Sequence, residues 1–345
     1  MNKIKDFLSY LSENNIKKAI VLKKENINYF LEKYPPTFSV LVFDVEEDRA
    51  VLRVPKLEYR GALTYKNKYL DIQLFEKIED VFKGCDGVED SLPLKYLKYL
   101  DKNYKLISDK IREMRAIKND REIELIQKAA KISDKAIEYA TEFILNSDKP
   151  ITEGELAAEI EYIMKKEGSI KPSFDTIAIS DKKTALPHGM PSNDIIKNIL
   201  LMDIGATYEG YCSDITRTVI LNPDKKYKNI YNIVHNAKNE AEEYLKEGVS
   251  VKELDSIARK SMGKYEKYFI HSLGHGVGVE VHEKPSVSSK VKEDIILKEG
   301  MVITIEPGIY LDDFGIRIED LYVVKKNGFK KLSNAKILDE ITSSS

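Results

Sequence analysis

The sequence predicts an α/β (α+β) fold in two parts, a small α/β domain over residues 1–113 and a larger unit over residues 114–345. Three observations carry this. Short apolar runs alternate with amphipathic helical stretches along the chain. The pattern changes near residues 114–118, MRAIK. Beyond that point an order of helix, helix and strands occurs twice, which suggests an internal pseudo-repeat. A chain of 345 residues is long enough for two domains.

In the first part, Ile4, Phe7, Leu8 and Leu11 fall at helical spacing over residues 1–20. Residues 19–22, AIVL, read as a buried strand, and residues 39–43 and 50–54 as a hairpin around Glu46, Glu47 and Asp48. A helix from about Lys56, a strand over 70–74 and a helix over 92–100 follow. This part has no histidine and no evident polar cluster. Its expected work is structural: to cover, restrict access or dimerise.

In the second part a long helix is expected from about Asp120, with Ile123, Ile126, Ala129, Ala130, Ile132 and Ala136 on one side. A second follows Thr152, where Thr152 and Glu155 have capping-box spacing. Strands are expected over 176–179, 199–204 and 213–221. The order then recurs: a helix over 227–246, a shorter one after Ser250 with Glu253 at capping-box spacing, and strands over 302–306 and 316–324. Two such halves would set their sheets side by side, with one site between them.

Net charge is −2, which points to neither nucleic acid nor an anionic membrane. No apolar run approaches the ~18 residues of a membrane span, and the N-terminus lacks the apolar core of a signal peptide. Two widely separated cysteines, Cys85 and Cys212, fit a reducing compartment, so a cytoplasmic location is expected. The abundance of Lys, Glu and Ile fits a thermophile and a plain codon bias equally well.

The chemistry is carried by acids in apolar strands. Residues 199–205, ILLMDIG, form an almost fully apolar run holding Asp203. An unpartnered buried carboxylate costs several kcal/mol, so something must compensate. Residues 211–219, YCSDITRTV, supply Asp214. A turn centred on Tyr208–Glu209 would set Asp203 opposite Asp214, and one centred on Glu209–Gly210 would leave them on one face. Surface acids at hairpin ends are the alternative. In residues 301–308, MVITIEPG, Glu306 ends an apolar strand that Pro307 breaks. In residues 316–324, IRIEDLYVV, Arg317 and Glu319 share a face, with an ordinary surface ion pair as the alternative. The fifth element is HSLGHGVGVEVHEKP, residues 271–285, holding three of the five histidines. There His275 is flanked by Gly274 and Gly276, residues that let backbone pass close to a ligand or ion.

Two carboxylates about 4 Å apart repel by roughly 4 kcal/mol at an effective dielectric near 20. Asp203, Asp214, Glu306 and Glu319 converging with His275 therefore need cations, and two divalent ions would cancel four negative charges. Four oxygen donors and one imidazole suit Mn²⁺, Co²⁺ or Fe²⁺ at least as well as Zn²⁺. Two such ions can hold a water ionised at neutral pH, ready to attack a carbonyl.

Asp203 and Asp214, the His275 motif, residues 304–308 (TIEPG) and residues 317–320 (RIED) together resemble the pita-bread metallopeptidases. These include Xaa-Pro dipeptidase (prolidase), Xaa-Pro aminopeptidase and methionine aminopeptidase. The resemblance covers the whole chain. Residues 114–122 look like the start of the catalytic domain, and the preceding segment like the creatinase-type N-terminal domain, which methionine aminopeptidases lack. It implies that Asp203 chelates one metal, Asp214 and Glu319 bridge two, and His275 and Glu306 hold the other. Glu306 would also shuttle a proton from water to the leaving nitrogen. His282 would stabilise the tetrahedral intermediate, and His188, in residues 185–189 (ALPHG), would contact substrate near the scissile bond. Arg317, Tyr310 and His271 would support the ligands. Lys284, after the His-Glu pair, departs from the family and leaves the proline pocket open. Phe174 is a candidate wall of that pocket, with core packing as its alternative.

The implied activity is a metallo-exopeptidase with two divalent ions, Mn²⁺ or Co²⁺ favoured and Fe²⁺ or Zn²⁺ as alternatives. Its substrate is a peptide with proline in second position, a dipeptide first. Xaa-Pro aminopeptidase is the alternative, because no residue declares itself as the partner of a dipeptide's terminal carboxylate. A catalytically silent binding module on the same scaffold is the reading from another class. The family and the unassigned first domain suggest a homodimer. His235 is expected to be a surface or packing residue, Cys85 a loop or packed thiol, and Cys212 not a ligand.

Overall fold

A computed structural model describes residues 2–100 and 103–336. The chain divides into two compact units, Met1–Arg115 and Ala116–Ser345.

The first unit is built on a six-stranded mixed sheet. Strands Lys18–Val21, Val40–Asp44 and Arg49–Val54 pair antiparallel in chain order. Leu70–Leu74 adds parallel to Arg49–Val54, and Gly87–Val88 adds parallel to Lys18–Val21. Helix Lys3–Glu13 buries Ile4, Phe7, Leu8 and Leu11, the expected stripe. Phe7 packs edge-on to Phe43, with ring centroids 4.8 Å apart, and lies 5.1 Å from Phe30. The helix expected from Lys56 is one turn, Tyr59–Ala62, and that over 92–100 is a 3-10 helix, Leu94–Tyr99.

Two features of this unit differ from expectation. Helix Lys24–Leu31 buries Asn26 and Asn28 beside Ile27 and Phe30, so its inner face carries no clean apolar period. The unit also contains a buried polar cluster. Glu89, 2% exposed, accepts from the Leu22 and Lys23 amides at 2.7 and 2.9 Å and from Asn26, which Arg115 holds at 2.5 Å. The carboxylate thus satisfies amides where the helix begins, a requirement of any buried helix end.

In the second unit the order of helix, helix and strands occurs twice. Helices Asp120–Leu145 and Glu153–Lys166 pack on an antiparallel sheet of Ile177–Ser180, Ile199–Ile204 and Ile215–Ile220. Helices Lys225–Tyr244 and Val251–Ser261 pack on a five-stranded sheet that includes Gly274–Gly276, Val302–Ile305 and Asp320–Lys325. Both first-half helices open with reciprocal capping boxes, Asn119 with Glu122 and Thr152 with Glu155. Ser250 caps the last helix through the Lys252 and Glu253 amides, while its hydroxyl donates to Asp294 at 2.6 Å.

The two sheets join edge to edge. The Glu319 amide donates to the Thr216 carbonyl at 3.1 Å, and Thr218 exchanges bonds with the Arg317 backbone at 2.8 and 3.2 Å. Two long strands expected from the sequence are each broken at this seam. Residues 211–220 pause at Ser213 and Asp214, and residues 315–325 pause at Ile318 and Glu319. Behind the seam, Asp320 meets Arg217, Lys238 and Lys331, with Arg217 at 2.7 Å and 1% exposed.

Candidate metal centre

The four acids arrive at the seam from four chain segments. Asp203 lies opposite Thr216 in the first sheet. The hairpin turns at Glu209 and Gly210, both with positive φ, so Asp214 sits two residues from Thr216 on the face Asp203 shares. Glu319 lies at the second break, and Glu306 follows the end of Val302–Ile305. Neither surface alternative holds: Asp214 is 5% exposed, Glu319 1% and Arg317 2%. Arg317 pairs with Asp203, not with Glu319.

Ligand atoms of Asp214, His275 and Glu319 lie within 4.8 Å of one another. His275 Nε2 is 3.3 Å from Glu306 Oε1 and 3.5 Å from Asp214 Oδ2. Its Nδ1 faces the Gly276 carbonyl at 3.1 Å. A carbonyl only accepts, so Nδ1 carries a hydrogen and Nε2 is the nitrogen turned to the acids, where burial works against the charge but contact with Glu306 raises the His275 pKa. Asp203 accepts from Arg317 Nη2 at 2.6 Å through one oxygen. Its other oxygen, and Glu319 Oε1, are buried without a hydrogen-bond partner. Two orphaned carboxylate oxygens beside an imidazole nitrogen form a donor set that fits divalent ions.

The electrostatics agree. Burial, then the charges of Glu319, Asp203 and Glu306, push the Asp214 carboxyl well above its ordinary range. Burial, then Glu306 and Asp203, do the same to Glu319. Burial also works against the Glu306 charge, but the hydrogen bond and charge of His275, with Arg317 adding to them, outweigh it and hold the group at about 2. Without cations, two of the acids thus resist ionising beside the others.

A supporting layer surrounds these groups. Thr216 Oγ1 donates to Glu319 at 2.8 Å and accepts from Arg317 Nε at 3.1 Å. Arg317 Nη1 reaches the Tyr310 hydroxyl at 2.7 Å, which lies 2.8 Å from His271 Nε2. His271 Nδ1 donates to the Ser272 carbonyl at 2.8 Å, so Nε2 accepts from the tyrosine and the ring stays neutral. Burial accordingly lowers the His271 pKa and raises that of Tyr310 to about 12. Thr304 accepts from the His275 amide at 3.1 Å and donates to Glu306 at 3.3 Å. Thr216 and Thr304 did not stand out in the sequence. Their signal was a hydroxyl two residues from an acid, on the same strand face.

The remaining candidates lie outside this set of groups. His282 is exposed and packs edge-on to His275, with ring centroids 4.3 Å apart. Partial desolvation beside the His275 ring lowers its pKa, and the His275 and His188 rings add to the effect. His188 is exposed in a turn, and the carbonyl of Pro187 beside it accepts from Arg317 at 3.3 Å. Phe174 is half-buried against Gly205, where an added Cβ would lie 2.8 Å from its ring. The glycines flanking His275 serve packing, not ligand approach. A Cβ at Gly274 would lie 2.0 Å from the Thr304 carbonyl, and one at Gly276 2.3 Å from the Lys284 carbonyl. Cys212 is buried, its thiol pushed up to about 11 by that burial, and its sulfur faces the Val279 carbonyl at 3.8 Å. Cys85 is a packed thiol, and His235 is half-buried on its helix. Among the described residues no helix is long and apolar enough to cross a membrane.

Known proteins share both sequence and architecture. The profile of metallopeptidase family M24 matches residues 124–326, and that of the creatinase/prolidase N-terminal domain matches residues 3–117. An uncharacterized peptidase of Methanocaldococcus jannaschii is 60% identical over 339 residues, covering 97% of this chain and 96% of the relative. A Xaa-Pro dipeptidase of Pyrococcus horikoshii is 41% identical over 350 residues, 97% of each chain. The prolidase of Pyrococcus furiosus superposes with a TM-score of 0.88 at 40% identity, covering 95% of this chain and 99% of that one.

Proposed function

Because this chain belongs to metallopeptidase family M24, we propose that it is a Xaa-Pro dipeptidase working with two divalent ions at the seam between its half-sheets. The observation that supports this most is the meeting of Asp214, His275 and Glu319 ligand atoms within 4.8 Å, with Glu306 3.3 Å from the same imidazole. Asp203 and Asp214 would hold one ion, His275 and Glu306 the other, with Asp214 and Glu319 shared. Mn²⁺ or Co²⁺ suits this mainly oxygen set. Such ions, when bound, supply a water ionised near neutral pH and a Lewis acid for the substrate carbonyl.

The chain's own groups do the rest. The proline nitrogen leaves as a secondary amine, so it must receive a proton as the C–N bond breaks. Glu306 takes one from the attacking water and delivers it to that nitrogen. His282, at the mouth beside His275, donates a hydrogen bond to the carbonyl oxygen as negative charge develops there. His188 contacts the substrate near the scissile bond. Arg317 holds Asp203, and Thr216 holds Glu319, so both carboxylates stay aimed at the site. Phe174 forms one wall of the proline pocket. Residues 114–345 carry the chemistry, and residues 1–113 serve dimerisation in a cytoplasmic homodimer.

Hydrolysis of Ala-Pro or Met-Pro against Ala-Pro-Ala tests the substrate assignment. Turnover of the dipeptides is expected. Activity confined to the tripeptide would make the protein a Xaa-Pro aminopeptidase instead.

A further inference from the structure

His188 sits in a segment of little regular structure, residues 181–194, whose two ends meet at one buried carboxylate. Glu153, fully buried, opens the helix Glu153–Lys166. Its Oε1 accepts from the Ser180 amide at 2.7 Å and the Ser180 hydroxyl at 3.0 Å. Its Oε2 accepts from the Ser192 amide at 3.0 Å, the Ser192 hydroxyl at 3.1 Å and the Lys183 ammonium. Lys183 also reaches the Ser192 hydroxyl at 2.6 Å and Asp194 at 2.8 Å. The helix backbone adds two bonds, Glu153 to the Asp194 carbonyl at 3.0 Å and Gly154 to the Ser192 carbonyl at 2.8 Å.

These contacts close the neck of a loop whose body is residues 184–191. The body leans on the metal-site strand: Gly315 donates to Thr184 Oγ1 at 2.9 Å, and Arg317 donates to the Pro187 carbonyl at 3.3 Å. His188 is the next residue. Helix capping does not account for Glu153, because Thr152 and Glu155 already complete that cap. A buried ion pair is weak as a source of stability, and apolar residues of similar volume often serve a fold as well. What five converging donors do supply is a single geometry for the loop neck.

We infer that Glu153 and Lys183 form an ionic clamp that sets the position of His188 over the reacting bond, making both of them positioning residues for peptide hydrolysis. The inference rests on the role given above to His188. A loop released at its neck would let the imidazole wander, and a misplacement of about 1 Å in a catalytic group costs up to roughly a hundredfold in rate.

The test uses the metal-loaded full chain with Ala-Pro as substrate. Glu153→Gln keeps the side-chain shape but turns an amide group toward donors on one side and removes the ion pair. It and Lys183→Met should each lower kcat about tenfold with bound metal unchanged, whereas Lys183→Arg should keep most of the activity. In a His188→Ala background the further cost of Glu153→Gln should shrink below about twofold, since the clamp would have nothing left to position. Thermal melts of every variant show that each is folded at the assay temperature. An equal cost with and without His188, or no cost with His188 present, would overturn the clamp. If His188→Ala alone keeps normal turnover, the role of His188 falls first and the clamp falls with it, a result told apart by that single variant.

Discussion

Asp214 and Glu319 are carboxylates in a place that opposes their charge. Burial and the neighbouring acids push both well above their ordinary range, while Glu319 keeps one oxygen buried without a partner. Removing Asp214 as Asp214→Ala should abolish turnover and weaken metal retention, measured by elemental analysis after gel filtration. His282→Ala should leave the metal bound and lower kcat by about a hundredfold, the scale of a lost donor to a developing oxyanion. Normal turnover in both variants would remove the roles assigned here. Thr216→Val makes a finer test. It removes the donor to Glu319 and the acceptor of Arg317 Nε, and should weaken metal affinity by roughly tenfold or more. The acids were legible in the sequence because a charge in an apolar strand demands a reason. Thr216 and Thr304 were not, because a hydroxyl in a strand demands none.

At the scale of elements, Asp214 and Glu319 emerge where strands break. The sequence reads residues 213–221 and 316–324 as continuous strands, because no glycine or proline interrupts either run. The ladders break there for a tertiary reason: Ser213 turns its hydroxyl to the Ala206 amide at 3.0 Å and to Ser133 at 2.9 Å, and the Glu319 amide leaves its own sheet for Thr216. Helix starts were easier to read. Thr152→Ala should cost about 1 kcal/mol in denaturant unfolding, the value of a lost N-cap. The helix Lys24–Leu31 carries no clear sequence signature, because two buried asparagines occupy positions that an apolar stripe would fill.

Behind the seam, burial works against the Asp320 charge, but Arg217, Lys238 and Lys331 outweigh it and hold the pKa below the ordinary carboxylate range. An acid depressed in the folded state contributes stability above its unfolded pKa, near 3.9, and loses it as pH falls toward the folded value. Asp320→Asn should therefore destabilise the protein by about 3–5 kcal/mol at pH 7. The gap between variant and wild type should narrow below about pH 4. Urea unfolding at pH 7 and pH 3.5 checks the sign, and a gap that widens in acid would contradict it.

Across the whole molecule, the second unit places two similar halves edge to edge and gathers its buried acids on the line where they join. The order of elements made this visible although the two halves share little sequence. What the order does not encode is the contact itself, the bonds from residues 315–320 to Thr216 and Thr218, since these depend on how two separate sheets meet. The first unit was legible as an α/β sheet domain, but its Glu89–Asn26–Arg115 cluster was not, because its members are 63 and 89 residues apart. Light scattering of the purified chain should give twice the monomer mass, 39.5 kDa, if the proposed homodimer forms. The central claim is that the clustered acids are tolerated because divalent cations bind among them, and calorimetric titration of chelator-treated protein with Mn²⁺ or Co²⁺ tests it most directly. Two ions per chain, with binding lost in Asp214→Ala and Glu319→Ala, is the expected result. Fewer than one ion per chain in the wild type would contradict it and leave a silent binding module on the same scaffold.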